Sequence, residues 1–267
     1  MKRNILLLFL MISGYGFSQV NWVYDMKMAQ AMALEQNKLI IVDFWATWCG
    51  PCKQMDKKLW GTEEMSAMSN NFVFLKVDID QEVDLAKNFN AMSIPLVVLI
   101  DASQKKIWSK SGFANASHYL NDFKKIPGNT GNLSENLIPV LQKRNSSVAF
   151  FNLGVAYQEI ARPLDNNNIK YSLLGVSNDY FDMIIDKSKN EDLVQKAELY
   201  TLLNRVFVGK SKKVLKKLEK LEVNEQNDEL KELKCFVKAY CYKNQKDKDA
   251  LAELKKEIKN PNLLSML

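Results

Sequence analysis

Four apolar runs in the first half of the chain have the length and composition of buried strands. Residues 39–45 and 72–77 are continuously apolar except for one charged residue each, which favours strands that are covered on both faces. Residues 96–100 and 106–109 flank a short polar turn and predict a hairpin. Helical periodicity occupies the segments around these runs, at 25–36, 53–60, 82–89 and 117–126. The alternation predicts an α/β domain.

The second half of the chain has no strand patterns. Residues 127–135 are polar and rich in Gly, Asn and Pro, which is typical of a linker. The segment from Phe150 to Tyr157 partly matches the spacing of a tetratricopeptide repeat. We therefore predict an all-α domain that is either tetratricopeptide-like or a plain helical bundle. Its helical segments are 146–161, 169–186, 193–208, 212–222, 228–243 and 247–259.

The N-terminus has the pattern of an export signal. Lys2 and Arg3 precede an apolar run at 5–12, and small and polar residues follow this run up to Ser18. The run is shorter than the roughly 20 apolar residues that a membrane-spanning helix needs, so a cleaved signal peptide is favoured over an anchor. We therefore expect a periplasmic or secreted protein.

The composition and the distribution of charge indicate which kinds of partner the protein binds. The chain has 267 residues, 47% of them hydrophobic and 25% charged, which is globular composition with enough apolar material for a sizeable core. Its net charge of +6 comes from lysines that are interspersed with acidic residues on helical patterns and are not collected with aromatic residues. This distribution argues against a nucleic-acid partner.

Cys49 and Cys52 follow the first apolar run and are separated by two residues. Such a pair can bind zinc, close a structural disulfide or exchange electrons. Zinc needs two further ligands, but His118 is the only histidine, and Cys235 and Cys241 face different sides of a predicted helix. A structural disulfide across so short a loop would remove little entropy from the unfolded chain.

The position of the cysteine pair favours redox chemistry. It lies where a strand passes into a helix, so the first thiol would be beside unpaired backbone N–H groups and the positive end of the helix dipole. Lowering a cysteine pKa from about 8.5 to about 7 requires about 2 kcal/mol of preferential stabilisation of the thiolate, which a helix end and local hydrogen bonds can supply.

The segment VDFWATWCGPCK at 42–53 resembles the active-site segment of the thioredoxin family. The family order continues in KVDID at 76–80, in SIP at 93–95 and in Gly112 after the hairpin. The resemblance covers about residues 22–126 and implies a thioredoxin-like α/β fold with a central mixed sheet flanked by helices. The expected domains are a signal peptide at 1–18, a thioredoxin-like domain at 19–126, a linker at 127–135 and a helical domain at 136–267.

The resemblance implies that four residues take part in the chemistry. Cys49 would be the exposed attacking thiol and Cys52 the buried resolving thiol, with a redox disulfide between them. Asp43 would exchange protons with Cys52, and Lys76 would influence the pKa of Asp43. The alternative for Asp43 is a hydrogen-bonded core aspartate, because a lone buried carboxylate is costly without a partner.

Further residues are implied in substrate binding. Pro95 is expected to follow a cis peptide bond, and Ile94 is expected to offer its backbone to an extended substrate. Pro51 also suits the first turn of a helix because it has no N–H group. No metal and no bound cofactor are implied. The complete substrate-binding set is Trp48, Gly50, Pro51, Ile94, Pro95 and Gly112.

One departure from the family defines the subgroup. Lys57 stands where thioredoxins carry a proline, and the segment 58–72 is longer and more irregular than theirs. In this respect the chain is more similar to exported thioredoxin-like proteins and to the periplasmic carboxy-terminal domain of thiol:disulfide interchange proteins. We therefore expect an extracytoplasmic thiol–disulfide oxidoreductase that acts on exported proteins with disulfides. A membrane electron donor of the thiol:disulfide interchange type would recharge it.

The direction of electron flow is a separate question. The dipeptide Gly50-Pro51 is that of reducing thioredoxins, whose potential is near −270 mV, against about −120 mV for the strong periplasmic oxidant. This favours reduction of protein disulfides. Oxidase or isomerase activity is an alternative. A client-binding or assembly protein, in which the thioredoxin-like domain is only a scaffold, is another.

Overall fold

The computed structural model describes residues 20–165 and 168–267. The predicted signal peptide at 1–18 lies outside the described residues. Among the residues that are described, no helix combines the length and the apolar character needed to cross a bilayer.

A single mixed sheet of five strands forms the centre of the first part of the described chain. The strand order is β1-β3-β2-β4-β5, in which β1, β3 and β2 are parallel and β4 and β5 are antiparallel to their neighbours. The hairpin predicted from residues 96–109 is confirmed as β4 and β5. The strands are β1 (Trp22–Val23), β2 (Leu39–Trp45), β3 (Phe72–Asp78), β4 (Leu96–Ile100) and β5 (Lys106–Ser111).

Helices cover both faces of this sheet. The helix predicted at 53–60 begins earlier, because Cys49 caps it, and it changes at Asp56–Trp60 into a π-helical turn. A short 3-10 turn, Met68–Asn70, follows α3 in the segment that the sequence shows to be irregular. The helices are α1 (Met26–Gln36), α2 (Gly50–Met55), α3 (Glu63–Ala67), α4 (Val83–Asn88) and α5 (Ser117–Phe123).

The rest of the described chain is helical, so the predicted α/β fold followed by an all-α region is confirmed. Most of these helices begin at a Ser, Asn or Asp whose side chain accepts a hydrogen bond from the first turn, as at Ser146, Asn190, Asn227 and Asp247. The helices are α6 (Leu133–Leu141), α7 (Ser147–Ala161), α8 (Asn168–Lys187), α9 (Glu191–Phe207), α10 (Ser211–Leu218), α11 (Asp228–Gln245), α12 (Lys248–Lys255) and α13 (Pro261–Ser265).

Helix α6 differs from the sequence-based prediction, since it begins inside the segment expected to be a linker. The chain before it is held to α1: the backbone N–H and hydroxyl of Thr130 both donate to the carbonyl of Asn37, at 2.9 Å each. The hydroxyl of Ser134 donates to the carbonyl of Ala33 at 3.4 Å. These contacts fix the chain between the sheet and the C-terminal helices. The domain boundaries themselves stay a prediction.

One continuous cluster of buried apolar side chains runs from the sheet into the C-terminal helices. A buried polar contact accompanies it, because the hydroxyl of Tyr157 on α7 donates to the carboxylate of Asp101 after β4. The other oxygen of Asp101 accepts from the backbone N–H groups of Ser103 and Lys105, at 2.7 and 2.9 Å. Asp101 therefore joins the β4–β5 turn to α7, and both of its carboxylate oxygens accept hydrogen bonds.

Helices α7 and α8 approach each other most closely at Gly154. A Cβ atom at this position would lie 2.4 Å from the ring of Phe181 on α8. The hydroxyl of Ser177 donates to the carbonyl of Gly154 at 2.7 Å in the same contact. The glycine that suggested a tetratricopeptide-like repeat is thus required for packing, and the tetratricopeptide-like character of the region stays a prediction.

Candidate active site

Cys49 and Cys52 form a disulfide at the point where β2 leads into α2. The two Cα atoms are 5.3 Å apart, within the ordinary range for a disulfide. Cys49 is the N-cap residue of α2, and its Sγ accepts a hydrogen bond from the backbone N–H of Cys52 at 3.1 Å. Pro51 lies in the first turn, where its missing N–H costs nothing. The backbone N–H of Cys52 is therefore already positioned to stabilise a negative charge on Cys49 Sγ.

Burial does not distinguish the two cysteines as the resemblance implied. Cys49 and Cys52 are each 3% exposed, so the expectation of an exposed Cys49 does not describe the disulfide form. The reason is that both cysteines share an apolar cluster with Ala46, against which Trp45, Ile79 and Ile94 pack. What separates the two residues is their position on α2: Cys49 caps the helix, whereas Cys52 lies inside its first turn.

Trp48 and Gly50 are the sequence neighbours of Cys49, and both are exposed. The indole of Trp48 is 66% exposed, and its Nε1–H donates to the carboxylate of Asp80 at 2.8 Å. A Cβ atom at Gly50 would meet nothing within 4 Å. A large aromatic face held by one hydrogen bond beside an unobstructed glycine can accept an approaching polypeptide. The substrate-binding roles of both residues stay predictions.

The segment before β4 also contributes to the site, through Ile94 and Pro95. The peptide bond between Ile94 and Pro95 is cis, which confirms the expected backbone conformation. The Ile94 side chain packs against the two cysteines, and the N–H of Gly112 donates to the carbonyl of Pro95 at 2.8 Å. Gly112 has φ +76°, a conformation that L side chains rarely adopt. Met92, two residues before Ile94, is 90% exposed and extends the apolar surface.

Asp43 is a buried carboxylate beneath this site, and it is only 2% exposed. The pairing of β2 with β3 sets Asp43 opposite Lys76, and the Lys76 Nζ is 3.5 Å from Asp43 Oδ2. Within the described residues, Asp43 Oδ1 and Trp60 Nε1 are both buried without a well-formed hydrogen bond, but the Trp60 indole is near enough to lower the pKa of Asp43 slightly. Burial raises the pKa of Asp43 to about 7, although the Lys76 ammonium opposes this change. The carboxylate is therefore poised between its two protonation states near neutral pH.

Lys76 is shared between two carboxylates. Its ammonium also bonds Asp56, which lies on the π-helical turn and is partly exposed. The rings of Trp22 and Trp45 lie 4.9 and 5.0 Å from the same nitrogen. Because its charge is divided in this way, Lys76 stabilises the Asp43 carboxylate less than an exclusive partner would.

Sequence reasoning missed Asp56 and the partner of Trp48. Asp56 follows Cys52 by four residues, a spacing that places both on one face of a helix, so this signal was available. Asp80 belongs to the family-like segment at 76–80, but nothing in its spacing links it to Trp48. Contacts between residues far apart in sequence are visible only in the folded chain.

The described residues offer no evident metal centre, since they contain no group of three His, Cys, Asp or Glu side chains that could hold an ion. Cys235 and Cys241 are free thiols on α11. Burial raises the pKa of Cys235 to about 11 and that of Cys241 to about 12, so neither is a thiolate near neutral pH. The reactive sulfur atoms are therefore those at the start of α2.

Comparisons with known proteins agree with this geometry. The sequence profile of the thioredoxin family matches residues 23–124. A thioredoxin of Mycobacterium bovis is 37% identical over 91 residues, which cover 33% of this chain and 77% of that protein. A bifunctional thioredoxin reductase/thioredoxin of Mycobacterium leprae is 38% identical over 94 residues, which cover 34% of this chain and only 20% of that protein.

Among solved structures, a thioredoxin from Thermus thermophilus aligns with 20% identity and a TM-score of 0.36, over 40% of this chain and 85% of that one. The match to the family profile ends at residue 124, before α6 begins. Together, the profile match and the coverage of the Mycobacterium bovis thioredoxin show that the chain belongs to the thioredoxin family of disulfide oxidoreductases, with Cys49 and Cys52 as its cysteine pair.

Proposed function

We propose that this protein is an extracytoplasmic thiol–disulfide oxidoreductase that reduces disulfides of exported proteins. The observation that carries the proposal is the Cys49–Cys52 disulfide at the start of α2, packed against the segment with the cis Ile94–Pro95 bond. This arrangement joins an exchangeable sulfur pair to an exposed backbone segment that an extended polypeptide can approach.

The reaction begins from the dithiol form. The Cys49 thiolate attacks one sulfur of a client disulfide, forming a Cys49–client bond and releasing the other client sulfur as a thiolate. The Cys52 thiol then loses its proton and attacks Cys49 Sγ, which releases the second client thiolate. The client gains two electrons, and the protein is left with the Cys49–Cys52 disulfide.

Asp43 is the proposed acceptor of the Cys52 proton. A base works best when its pKa is close to the working pH, and the pKa of Asp43 is about 7. Because Lys76 also pairs with Asp56, its ammonium stabilises the charged form of Asp43 only partly, and the carboxylate can still accept a proton. The same group can return the proton when the disulfide is reduced again.

Two sequence features support the direction and the location. Gly50-Pro51 is the dipeptide of reducing thioredoxins, and 150 mV, or about 7 kcal/mol for two electrons, separates their potentials from that of the strong periplasmic oxidant. The basic and apolar pattern of residues 2–12 supports export. An exported reductase consumes electrons, so we propose a membrane donor of the thiol:disulfide interchange type as its partner.

Trapping of mixed disulfides tests the proposal. Reduced Cys52→Ser protein, incubated with oxidised insulin, should form a covalent complex through Cys49 that dithiothreitol releases. Cys49→Ser is the matched control and should form far less complex, while the double variant retains Cys235 and Cys241 and measures their background. Equal complex formation in all three variants would overturn the assignment of Cys49 as the attacking thiol.

A further inference from the structure

A cleft in the C-terminal helices has no role in the disulfide chemistry. It lies between the end of α8, one face of α9 and α10, and it encloses about 330 Å³. Ile185, Leu202 and Leu221 contribute its apolar lining. The volumes of ligand pockets in proteins usually exceed about 300 Å³. The cleft is therefore large enough for a small ligand or for one large side chain with its neighbours.

The rim of the cleft is basic. Arg205, Lys217 and Lys220 line it, and none of the three has an ion-pair partner within the described residues. Glu198 is the one acidic side chain of the lining, so the cleft has a net charge of +2. Cations that lack internal partners are available to an anionic ligand, and a neighbouring apolar surface strengthens such contacts by excluding water.

A buried hydroxyl inside the cleft also lacks a partner. Thr201 lines the cleft, and within the described residues its Oγ1 is buried without a hydrogen bond. Thr201 and Arg205 are four residues apart on α9, so their side chains lie on the same face of that helix. The exposed guanidinium of Arg205 on this face matches the acceptors of a carboxylate.

We propose that this cleft binds an acidic segment of a client protein in which a large apolar residue lies next to carboxylate side chains. The apolar residue would occupy the space between Ile185, Leu202 and Leu221, and the carboxylates would pair with Arg205 and Lys217. The proposal rests on the proposed function in one respect: it takes the occupant to be a polypeptide because protein disulfides are the substrates. A client that is bound in the cleft is held on the same chain as Cys49, so its later reaction with Cys49 is no longer a fully bimolecular encounter.

Fluorescence anisotropy of labelled peptides tests the cleft directly on the full chain. The probe is a twelve-residue Gly/Ser peptide with Glu-Leu-Phe-Glu at its centre. Two comparison peptides replace the centre by Gln-Leu-Phe-Gln or by Glu-Ser-Ser-Glu. Removal of either the carboxylates or the apolar pair should weaken binding at least tenfold. Equal affinity for all three peptides, or no binding of the probe, would overturn the proposal.

Two matched double variants distinguish binding in the cleft from a general effect of the protein's charge on peptide binding. Arg205→Gln with Lys217→Glu changes the charge of the cleft by −3. Lys212→Glu with Lys213→Gln makes the same change on exposed positions of α10 that do not line the cleft. The first pair should weaken binding of the probe at least tenfold, and the second pair less than twofold. Equal losses would contradict a specific site, as would cleft-dependent binding of phosphatidylglycerol vesicles without binding of the probe.

A second readout keeps this inference apart from the redox proposal. All four variant positions are outside the active site, so reduction of the small disulfide 5,5′-dithiobis(2-nitrobenzoate) should be unchanged in both pairs. Normal reduction together with no peptide binding would reject the cleft alone. Specific peptide binding without any disulfide reduction would reject the redox proposal and leave the cleft in place.

Discussion

Replacing Asp43 by Asn should stabilise the protein in a strongly pH-dependent way. The carboxylate is 2% exposed, and within the described residues its Oδ1 makes no well-formed hydrogen bond, with only the Trp60 indole nearby. Burial raises the pKa of Asp43 from 3.8 to about 7, and each tenfold change in proton affinity corresponds to about 1.4 kcal/mol. The charged form therefore destabilises the folded state by about 4 kcal/mol at pH 8.5.

The sign follows from proton binding. Between about pH 4 and pH 7 the folded state holds a proton on Asp43 that the unfolded state has lost, so the stability of the unchanged protein falls as pH rises through this window. An amide does not titrate and removes this dependence. Lys76 still has Asp56 as a partner in the variant, so no lysine is left buried without a counter-charge.

Guanidinium chloride unfolding of the oxidised protein measures the effect. The free energy of unfolding of Asp43→Asn should exceed that of the unchanged protein by about 4 kcal/mol at pH 8.5 and by no more than about 1 kcal/mol at pH 4.5. A gain that is the same at both pH values, or a loss at pH 8.5, would show that the buried charge of Asp43 does not destabilise the folded protein. The variant should also release its mixed disulfides at least tenfold more slowly near neutral pH, because the proposed base is gone.

Asp101 provides a contrast within the same chain. It is fully buried like Asp43, but it accepts hydrogen bonds from Ser103, Lys105 and Tyr157. Asp101→Ala leaves these donors without a partner and should cost at least about 2 kcal/mol of stability at pH 4.5, and less at pH 8.5, because burial also raises the pKa of Asp101. A stabilised Asp101→Ala protein would show that the α7 contact is unimportant for the fold.

The remaining predictions concern charge and packing. Asp56→Asn should move the acidic limb of the pH profile of disulfide reduction to lower pH, because the negative charge of Asp56 raises the pKa of Asp43; a stopped-flow profile with an unmoved limb would contradict this. Gly154→Ala should cost about 1–3 kcal/mol of unfolding free energy, because its Cβ overlaps the ring of Phe181. Gly175→Ala, where a Cβ meets nothing within 4 Å, is the control and should stabilise α8 by up to about 1 kcal/mol.

Much of the fold was predictable because local pattern and burial agree. The run at 39–45 is apolar on both faces, and it forms β2 with the predicted bounds. Helix α6 was not predicted, since its first turn continues a polar segment and Pro139 lies inside it. Contacts with α1, such as that of Ser134 with Ala33, hold this helix, and they depend on tertiary structure that a local pattern does not contain.

The candidate site was predictable as far as its residues share one segment or one family motif. The disulfide and the cis Ile94–Pro95 bond are as expected. The sharing of Lys76 with Asp56 depends on the π-helical turn, whose register the sequence does not reveal. The equal burial of Cys49 and Cys52 depends on side chains from three segments.

The reduction potential of the Cys49–Cys52 pair decides whether this protein reduces disulfides. The protein would be equilibrated with dithiothreitol buffers of known potential, and alkylation followed by peptide mass spectrometry would give the fraction of this disulfide. For a reducing function we expect a two-electron transition near −270 mV, as for reducing thioredoxins. A midpoint above about −180 mV would contradict the reducing function. A disulfide that never exchanges with the buffer would contradict redox activity at this site.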